Sequence, residues 1–419
     1  MTILLTILYV FLILYNPIQQ YIPYSNYVDE IICIVLLIMA VLKFVPTEAI
    51  IHTRSNLTKI VTMCMVVFAI GILSNIIYGY ASVTNIVRDV LGTFKFFITL
   101  CSGLYVTKKY KSKRLEISLI KTAKLFVTVI FGFAIISLFV NIGMGDSVRY
   151  GLRSFRFIYT HYTYLVFNEV LLLSTIMCEN KKNYSYYGMS FATLILTLRT
   201  KAFLFVAIVI GISLLFRYRK KMQAISLKKI FKLRYILPLT VVSICIAKSK
   251  VVDYLSWGLS NSIRVGMHYE GYKIMLKFFP LGTGFATYGT NLSYGANSPV
   301  YGLYHLLNYQ NLLDFGYATI SDVYWPSIYA QFGVFGCIAF VIALFYCMRE
   351  LANNNYMKVN VKKAELCIFL YMIVSSFAEA VFTNESGAFA PIVMILLACF
   401  PCSDRDDRNI DNKHKRKIV

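Results

Sequence analysis

The chain is a succession of apolar segments separated by short basic connections, and this pattern constrains its fold more than any other feature. The composition agrees, since 58% of the residues are hydrophobic, 15% are charged and the mean hydropathy is +0.64. Such values are typical of a polytopic membrane protein. A helix that crosses the hydrocarbon core needs about 20 residues, or fewer where it is recessed in a bundle. The pattern predicts twelve such segments, at about 2–15, 31–46, 60–78, 86–106, 122–141, 158–178, 184–198, 202–216, 235–247, 326–347, 365–381 and 387–400.

The distribution of basic residues predicts the orientation of these segments. With the N-terminus inside, most of the 42 lysines and arginines fall in alternate connections, whereas the short connections 16–30, 79–85 and 382–386 contain none. The positive-inside rule then places both termini in the cytoplasm, the C-terminal one as a polar tail at 401–419. Because these clusters account for much of the net charge of +22, nucleic acid is not an expected partner. The first segment lacks a basic start and a small-residue cleavage site, so it is expected to be retained.

The ten cysteines are expected to act as small hydrophobic side chains. They lie in or at the ends of apolar segments, and no pair has the spacing of a zinc site with histidines nearby. Both features argue against a disulfide framework and against a structural metal site.

One long excursion, from Lys248 to Trp325, interrupts the apolar segments and offers the most room for an active site. Under the predicted orientation it faces outward. Arg264 opens a stretch, 265–279, whose amphipathic pattern predicts a helix on the membrane surface. The turn at 280–285, with the sequence PLGTGF, ends this helix, and its glycines would allow the backbone to approach a ligand closely.

Several basic residues on the predicted outer side break the positive-inside rule and require another explanation. Arg199 and Lys201 join two segments, the first of which is short for a hydrocarbon core of about 30 Å, so both are expected below the outer surface. Either they snorkel to lipid headgroups, or they line a water-filled, anion-binding cavity, where arginine suits phosphate oxygens. For Arg149, Arg153 and Arg156 the alternatives are a solvated cluster beside the membrane and the same cavity.

Charged residues also occur within or at the ends of the apolar segments. Lys95 and Glu169 lie near the middle of two of them, and a lone buried charge is costly. We therefore predict that they pair with each other or face the cavity. Arg88 and Asp89, at the start of a segment, are expected to form an interfacial ion pair.

Three motifs occur in an order that is similar to that of a known family. They are Arg199 within LRTKAFL (198–204), Arg264 followed by PLGTGF (280–285), and SDVYW (321–325) running into QFGVFG (331–336). With these motifs, and with its hydropathy plan over nearly its whole length, the chain resembles the Wzy-type polysaccharide polymerases and the related O-antigen ligases. The resemblance implies an all-α, GT-C-like polytopic integral membrane protein. It would form a single membrane domain, 1–419, with a large extracytoplasmic loop at 248–325, in a bacterial cytoplasmic membrane.

The activity that the resemblance implies is a glycan transfer at the outer face of the membrane. A growing glycan would leave undecaprenyl diphosphate and join a hydroxyl of an incoming lipid-linked repeat unit, as in O-antigen or capsule synthesis. The resemblance also implies independence from metal ions, cofactors and nucleotides, and two partner proteins, a flippase and a chain-length regulator. A lipid diphosphate is an activated donor whose leaving group arginines can stabilise.

The predicted site residues lie on both sides of the excursion. Where ligases of this superfamily carry a histidine–asparagine pair, this chain has Ser321–Asp322, which favours the polymerase. Arg199 and Arg264 are predicted to hold the diphosphate, and Asp322 is predicted to orient or deprotonate the acceptor hydroxyl, with Glu270 and His305 as further candidates. The predicted substrate-binding residues are Arg153, Arg156, Lys201, Lys273 and His305.

Other classes of function stay open from the sequence. A flippase for the same lipid-linked sugars would also need a basic cavity, although internal repeats, which are often present in transporters, are not visible here. A membrane glycosyltransferase that adds single sugars from a polyprenyl phosphate could use Asp29 or Glu30, which otherwise form a solvated loop end. An O-antigen ligase is a further alternative.

Overall fold

The structure is a computed structural model that describes residues 1–22, 25, 27–44, 55–149, 151–179, 183–221, 263–304, 320, 323–353 and 357–401. These residues are mostly helical. The helices are α1 (Thr2–Gln19), α2 (Val28–Phe44), α3 (Ser55–Tyr78), α4 (Val83–Val106), α5 (Lys113–Phe139), α6 (Tyr162–Met177), α7 (Tyr184–Leu196), α8 (Thr200–Lys221), α9 (Ile263–Lys277), α10 (Asn291–Gly295), α11 (Pro299–Leu303), α12 (Trp325–Asn353), α13 (Val359–Ser375) and α14 (Ser386–Ala398). A short antiparallel hairpin, β1 (Val148–Arg149) with β2 (Leu152–Arg153), joins α5 to α6.

Five of the described helices are long and apolar enough to cross a membrane. They are α1, residues Asn56–Tyr78 of α3, α4, α5 and α12. Shorter apolar helices occur at Tyr162–Met177, Thr200–Ser213 and Ser386–Ala398. By length and composition these helices indicate an all-α membrane protein, the class that the hydropathy pattern predicts. Eleven of the twelve predicted segments overlap described helices, and the remaining one, 235–247, lies outside the described residues.

The core of the bundle is built by helices that are distant in sequence. α3 packs along α12, α2 along α4, and α14 against α4. Large aromatic side chains fill the space between them, and Phe96, Phe285 and Phe332 are completely buried. The ring of Phe285 meets that of Phe332 edge-on, with 4.8 Å between the ring centroids. Segment 280–289, which belongs to the loop predicted to be extracytoplasmic, is therefore part of the bundle core.

The turn at 280–285 packs against a break in α12. Gly333 has φ 59° and ψ −162°, so the helix is interrupted there. The backbone N–H of Thr283 donates to the Ala330 carbonyl at 3.0 Å, and that of Gly284 donates to Gln331 at 2.8 Å. A Cβ atom on Gly333 would collide with the Pro280 carbonyl oxygen. The close backbone approach of this turn that the structure shows is thus to α12.

α9 is helical as the sequence predicts, but its apolar residues pack inside the protein. Ile263, Met267 and Ile274 are buried against α12 and the segment that follows α9. Tyr272 and Leu276 are exposed. The buried side chains of α9 are therefore explained by packing against α12, which the prediction of a surface helix did not include.

We predict that Gly333→Ala destabilises the protein. The conformation of Gly333 is essentially restricted to glycine, and strain of this kind costs about 1–3 kcal/mol before the collision with Pro280 is added. The matched control is Gly132→Ala in α5, where an added Cβ meets nothing within 4 Å. The free energy of unfolding of this control variant is expected to increase by about 0.4–1 kcal/mol, because alanine reduces the entropy of the unfolded chain. Thermal unfolding in detergent compares the two, and equal midpoints would contradict the packing of the turn into α12.

Candidate functional site

A cavity of about 710 Å³ lies at the end of the bundle where connections predicted to be outside meet. Its walls come from the starts of α2, α4 and α6, from the segment 289–292, from Ser327 at the start of α12, and from the connection between α13 and α14. Threonine, serine and asparagine side chains contribute to the lining. The lining residues with an ionisable side chain are Glu30, Arg88, Asp89, His161, Tyr164, Glu379 and Glu385.

A buried lysine joins two walls of the cavity. The Lys95 ammonium on α4 donates to Asp29 and, at 3.0 Å, to Glu30, both at the start of α2. It also donates to the Thr383 carbonyl oxygen at 3.1 Å. The side chains of Lys95 and Asp29 are 3% and 4% exposed. The prediction of a solvated loop end at Asp29 and Glu30 is therefore wrong.

The expected pairing of Lys95 with Glu169 does not form. Glu169 is completely buried on α6 and accepts a hydrogen bond from the Ser190 hydroxyl at 2.5 Å. Lys95 is instead engaged by the two acids of α2. Lys95 is not itself among the residues that line the cavity, but its partner Glu30 is.

Asp89 holds the segment that follows α9 against α4. Its Oδ2 accepts from the Ala286 backbone N–H at 2.7 Å, and its side chain is buried. Asn75 at the end of α3 adds two bonds, accepting from the Phe285 N–H at 2.8 Å and donating to the Phe285 carbonyl at 3.0 Å. Asp89 therefore holds backbone rather than forming the predicted ion pair with Arg88, and that prediction is wrong.

Arg199 lies in the turn between α7 and α8. It directly follows Leu198, which has φ 52°. The guanidinium stacks on the Tyr162 ring, with 4.2 Å between the Cζ atom and the ring centroid. Within the described ranges, its Nε is buried and has no hydrogen-bond partner. Two effects lower the pKa of Arg199. The larger is its burial, and the second is repulsion from the charge of Arg149. An anion in this position would relieve both effects.

The Tyr162 ring that supports Arg199 is itself fixed by a hydrogen bond. The Tyr162 hydroxyl donates to Asp146, and it accepts from the Ser147 backbone N–H at 2.9 Å. This hydrogen bond from Tyr162 lowers the pKa of Asp146, and Arg156, with its Nη1 3.3 Å from the carboxylate, acts in the same direction. Arg156 is thus paired with Asp146 beside the Arg199 turn.

Lys201 connects the basic region, which is formed by Arg199 and Arg156, to the cavity. Its ammonium forms an ion pair with Glu379, a residue of the cavity lining, and its side chain is 10% exposed. Arg199 and Arg264 both lie close enough to repel the Lys201 charge. Lys201 therefore contacts the cavity wall through Glu379, and two arginines from distant parts of the sequence act on its charge. For Lys201, this geometry favours the cavity over snorkelling to lipid headgroups.

No protein-family model matches this chain, and no curated protein matches it. Among the residues that the structure describes, no group of three or more His, Cys, Asp or Glu side chains is placed to hold a metal ion.

Of the other predicted site residues, the described ones, Glu270, Lys273 and Arg153, are not in the cavity lining. Glu270 and Lys273 pair with each other on α9 at 3.1 Å, and the Lys273 ammonium lies 4.1 Å from the centroid of the Tyr269 ring. Arg153 is exposed on β2. Glu270, a further candidate to orient or deprotonate the acceptor hydroxyl, is thus paired with Lys273, and that role stays a prediction. Asp322 and His305 lie outside the described residues.

Two acids of the cavity, Glu379 and Glu385, were not predicted from the sequence. Both belong to the short connection between α13 and α14. A signal was present, because this connection carries two carboxylates and no basic residue between two strongly apolar helices. Burial raises the pKa of Glu385. A carboxylate with a raised pKa in a cavity is a common property of functional acids and bases.

Proposed function

We propose that the protein is a polysaccharide polymerase at the outer face of a bacterial cytoplasmic membrane, with a GT-C-like arrangement of about twelve spanning helices. It would transfer a growing glycan from undecaprenyl diphosphate to a hydroxyl of an incoming lipid-linked repeat unit. The observation that carries the proposal is the ion pair of Lys201 with Glu379 in the wall of an acid-lined cavity, where Arg199 and Arg264 are near enough to repel the Lys201 charge. The residues of the cavity come mainly from connections that the distribution of basic residues predicts to be outside.

The basic residues suit the leaving group of this reaction. The diphosphate gains negative charge as the bond to the sugar breaks, and fixed cations that face this charge lower the barrier. Arg199 is half-buried and is oriented by Tyr162, so its attraction for an anion is screened less than at an exposed site. Its planar guanidinium can bind two oxygens of one phosphate.

The cavity suits the sugars of the substrate. Its volume of about 710 Å³ lies within the range of about 300–1,000 Å³ that is usual for small-molecule sites. Its lining provides hydroxyl, amide and carboxylate groups, among them those of Thr163, Thr290, Asn291, Asn384 and Ser386, which can exchange hydrogen bonds with sugar hydroxyls. The Lys201–Glu379 pair forms the boundary between the sugar cavity and the basic region.

The test is a reconstituted polymerisation. The substrate is the undecaprenyl-diphosphate-linked oligosaccharide extracted from source cells that lack this protein's gene, because unpolymerised units should accumulate there. Purified protein in detergent is expected to convert this extract into a ladder of longer glycans on a gel. Monodisperse, folded protein that leaves the units unchanged would overturn the proposal.

Two further outcomes separate the alternatives. Lengthening that occurs only after a polyprenyl-phosphate monosaccharide is added would indicate a single-sugar transferase. Movement of the lipid-linked unit between the leaflets of a vesicle, without elongation, would indicate a flippase. Either result would replace the polymerase proposal, since a polymerase needs only the lipid-linked units and elongates them on one face.

A further inference from the structure

α9 carries apolar side chains on two sides, and packing inside the protein accounts for only one of them. Ile263, Met267 and Ile274 are buried against α12 and the segment that follows α9. On the other side of the helix, Tyr272 and Leu276 are exposed. A helix with apolar side chains on opposite sides needs an apolar environment on both. The described part of the chain leaves the second side of α9 uncovered.

The exposed apolar residues of α9 form one continuous stripe. Tyr269, Tyr272, Leu276 and Phe279, which lies just after the end of the helix, recur at intervals of three and four residues, so they share one face. Between 42% and 62% of each of these residues is exposed. A contiguous apolar patch of this kind marks a surface that binds protein or membrane.

The α9 stripe joins the surface of a helix that is long and apolar enough to cross the membrane. The ring of Phe279 lies against that of Phe335 on α12, with 6.2 Å between the ring centroids. From Phe335 a row of exposed apolar residues continues along α12 through Ile338 and Phe345. In a spanning helix such a row faces lipid. The α9 stripe therefore extends the lipid-facing surface of α12.

We infer that the α9 stripe is a lipid-binding surface, inserted into the membrane leaflet at the end of the bundle that holds the cavity. α9 packs against the start of α12, where Ser327 lines the cavity. As an interfacial helix, α9 would place the stripe at the boundary between headgroups and acyl chains. Lys273 and Lys277 are exposed on the flank of the stripe, where their ammonium groups can reach the headgroups. Its tyrosines suit the same level, because their rings are apolar and their hydroxyls polar.

The same helix also reaches the surroundings of Lys201. Arg264, near the start of α9, is close enough to repel the Lys201 charge, and Lys201 pairs with Glu379 in the cavity wall. Insertion of the α9 stripe in lipid would thereby help to fix the position of Arg264 relative to this ion pair.

The test uses tryptophan as a reporter in vesicles of phosphatidylcholine with brominated acyl chains, because bromine quenches indole fluorescence on contact. Tyr272→Trp and Leu276→Trp place the reporter on the α9 stripe, and Ile338→Trp places it on the exposed row of α12. The matched control is Ala296→Trp, at an exposed residue between α10 and α11. Two native tryptophans are present in every sample, so the wild-type fluorescence is subtracted. Thermal unfolding in detergent checks that each variant keeps the wild-type midpoint.

The fluorescence added by Tyr272→Trp and Leu276→Trp is expected to be quenched as strongly as that added by Ile338→Trp, whereas Ala296→Trp should keep its fluorescence. Stripe reporters that keep their fluorescence while Ile338→Trp loses it would overturn the inference, since the stripe would then face water or another protein. An unquenched Ile338→Trp would overturn it as well, because the surface that the stripe extends would not face lipid. The measurement needs no substrate, so its result is independent of the proposed function.

Discussion

Replacing Arg199 by alanine is expected to slow elongation of lipid-linked repeat units about 10²- to 10³-fold, the usual cost of losing one preorganised group that stabilises developing charge. Arg264→Ala is expected to abolish the ladder of long products, because it removes a second cation from the same region. Arg199→Lys should recover only part of the rate. Lysine keeps the charge but has neither the two-pronged geometry nor the stacking on Tyr162. The measurement is the initial rate of ladder formation by purified protein.

The control for these variants is Arg114→Ala, which removes an exposed arginine near the start of α5. It should elongate at the wild-type rate, which excludes a general effect of lost positive charge. Arg199→Ala with full activity would remove the main support for a diphosphate site at the turn between α7 and α8. Full activity in Arg199→Lys, together with an inactive alanine variant, would indicate that charge alone matters there.

The positions of the helices could be predicted from the sequence, because hydropathy responds to local composition. Each predicted segment within the described ranges overlaps a helix, although α5 begins at Lys113, well before the predicted 122. The difference arises because the basic first turns of this helix are polar and a hydropathy count excludes them. The burial of residues 280–289 could not be predicted from the sequence. It depends on the helix break at Gly333, and a glycine within an apolar stretch does not by itself indicate a helix break.

The candidate site could be predicted only in part. The exceptions to the positive-inside rule identified Arg199, Lys201 and Arg264, and both arginines are near enough to repel the Lys201 charge. The partners of charged residues could not be predicted, because they lie far apart in sequence. Lys95 pairs with Asp29 and Glu30 more than sixty positions earlier, and Lys201 pairs with Glu379 across most of the second half of the chain. Hydropathy carries no information on such pairings.

Removing the Lys95 ammonium is expected to be the most destabilising single change among the ion pairs described. Lys95→Met leaves Asp29 and Glu30 without their cation, and breaking a buried pair in this way costs about 3–5 kcal/mol. Thermal unfolding in detergent measures the loss. The triple variant Lys95→Met with Asp29→Asn and Glu30→Gln should recover most of it, since no charge then remains buried. Elongation should fall as well, because Lys95 also binds the Thr383 carbonyl in the connection that carries Glu379 and Glu385.

The matched control is Lys113→Met, which removes a lysine whose side chain is 64% exposed. Its partner Glu116 keeps a second bond to Lys358 at 3.0 Å, so no acid is left alone, and the expected cost is at most about 1 kcal/mol. Equal losses of stability in the Lys95 and Lys113 variants would mean that water hydrates the carboxylates of Asp29 and Glu30 and so offsets the loss of the ammonium. A larger loss in the Lys95 variant, recovered in the triple variant, is the result expected of a buried ion pair.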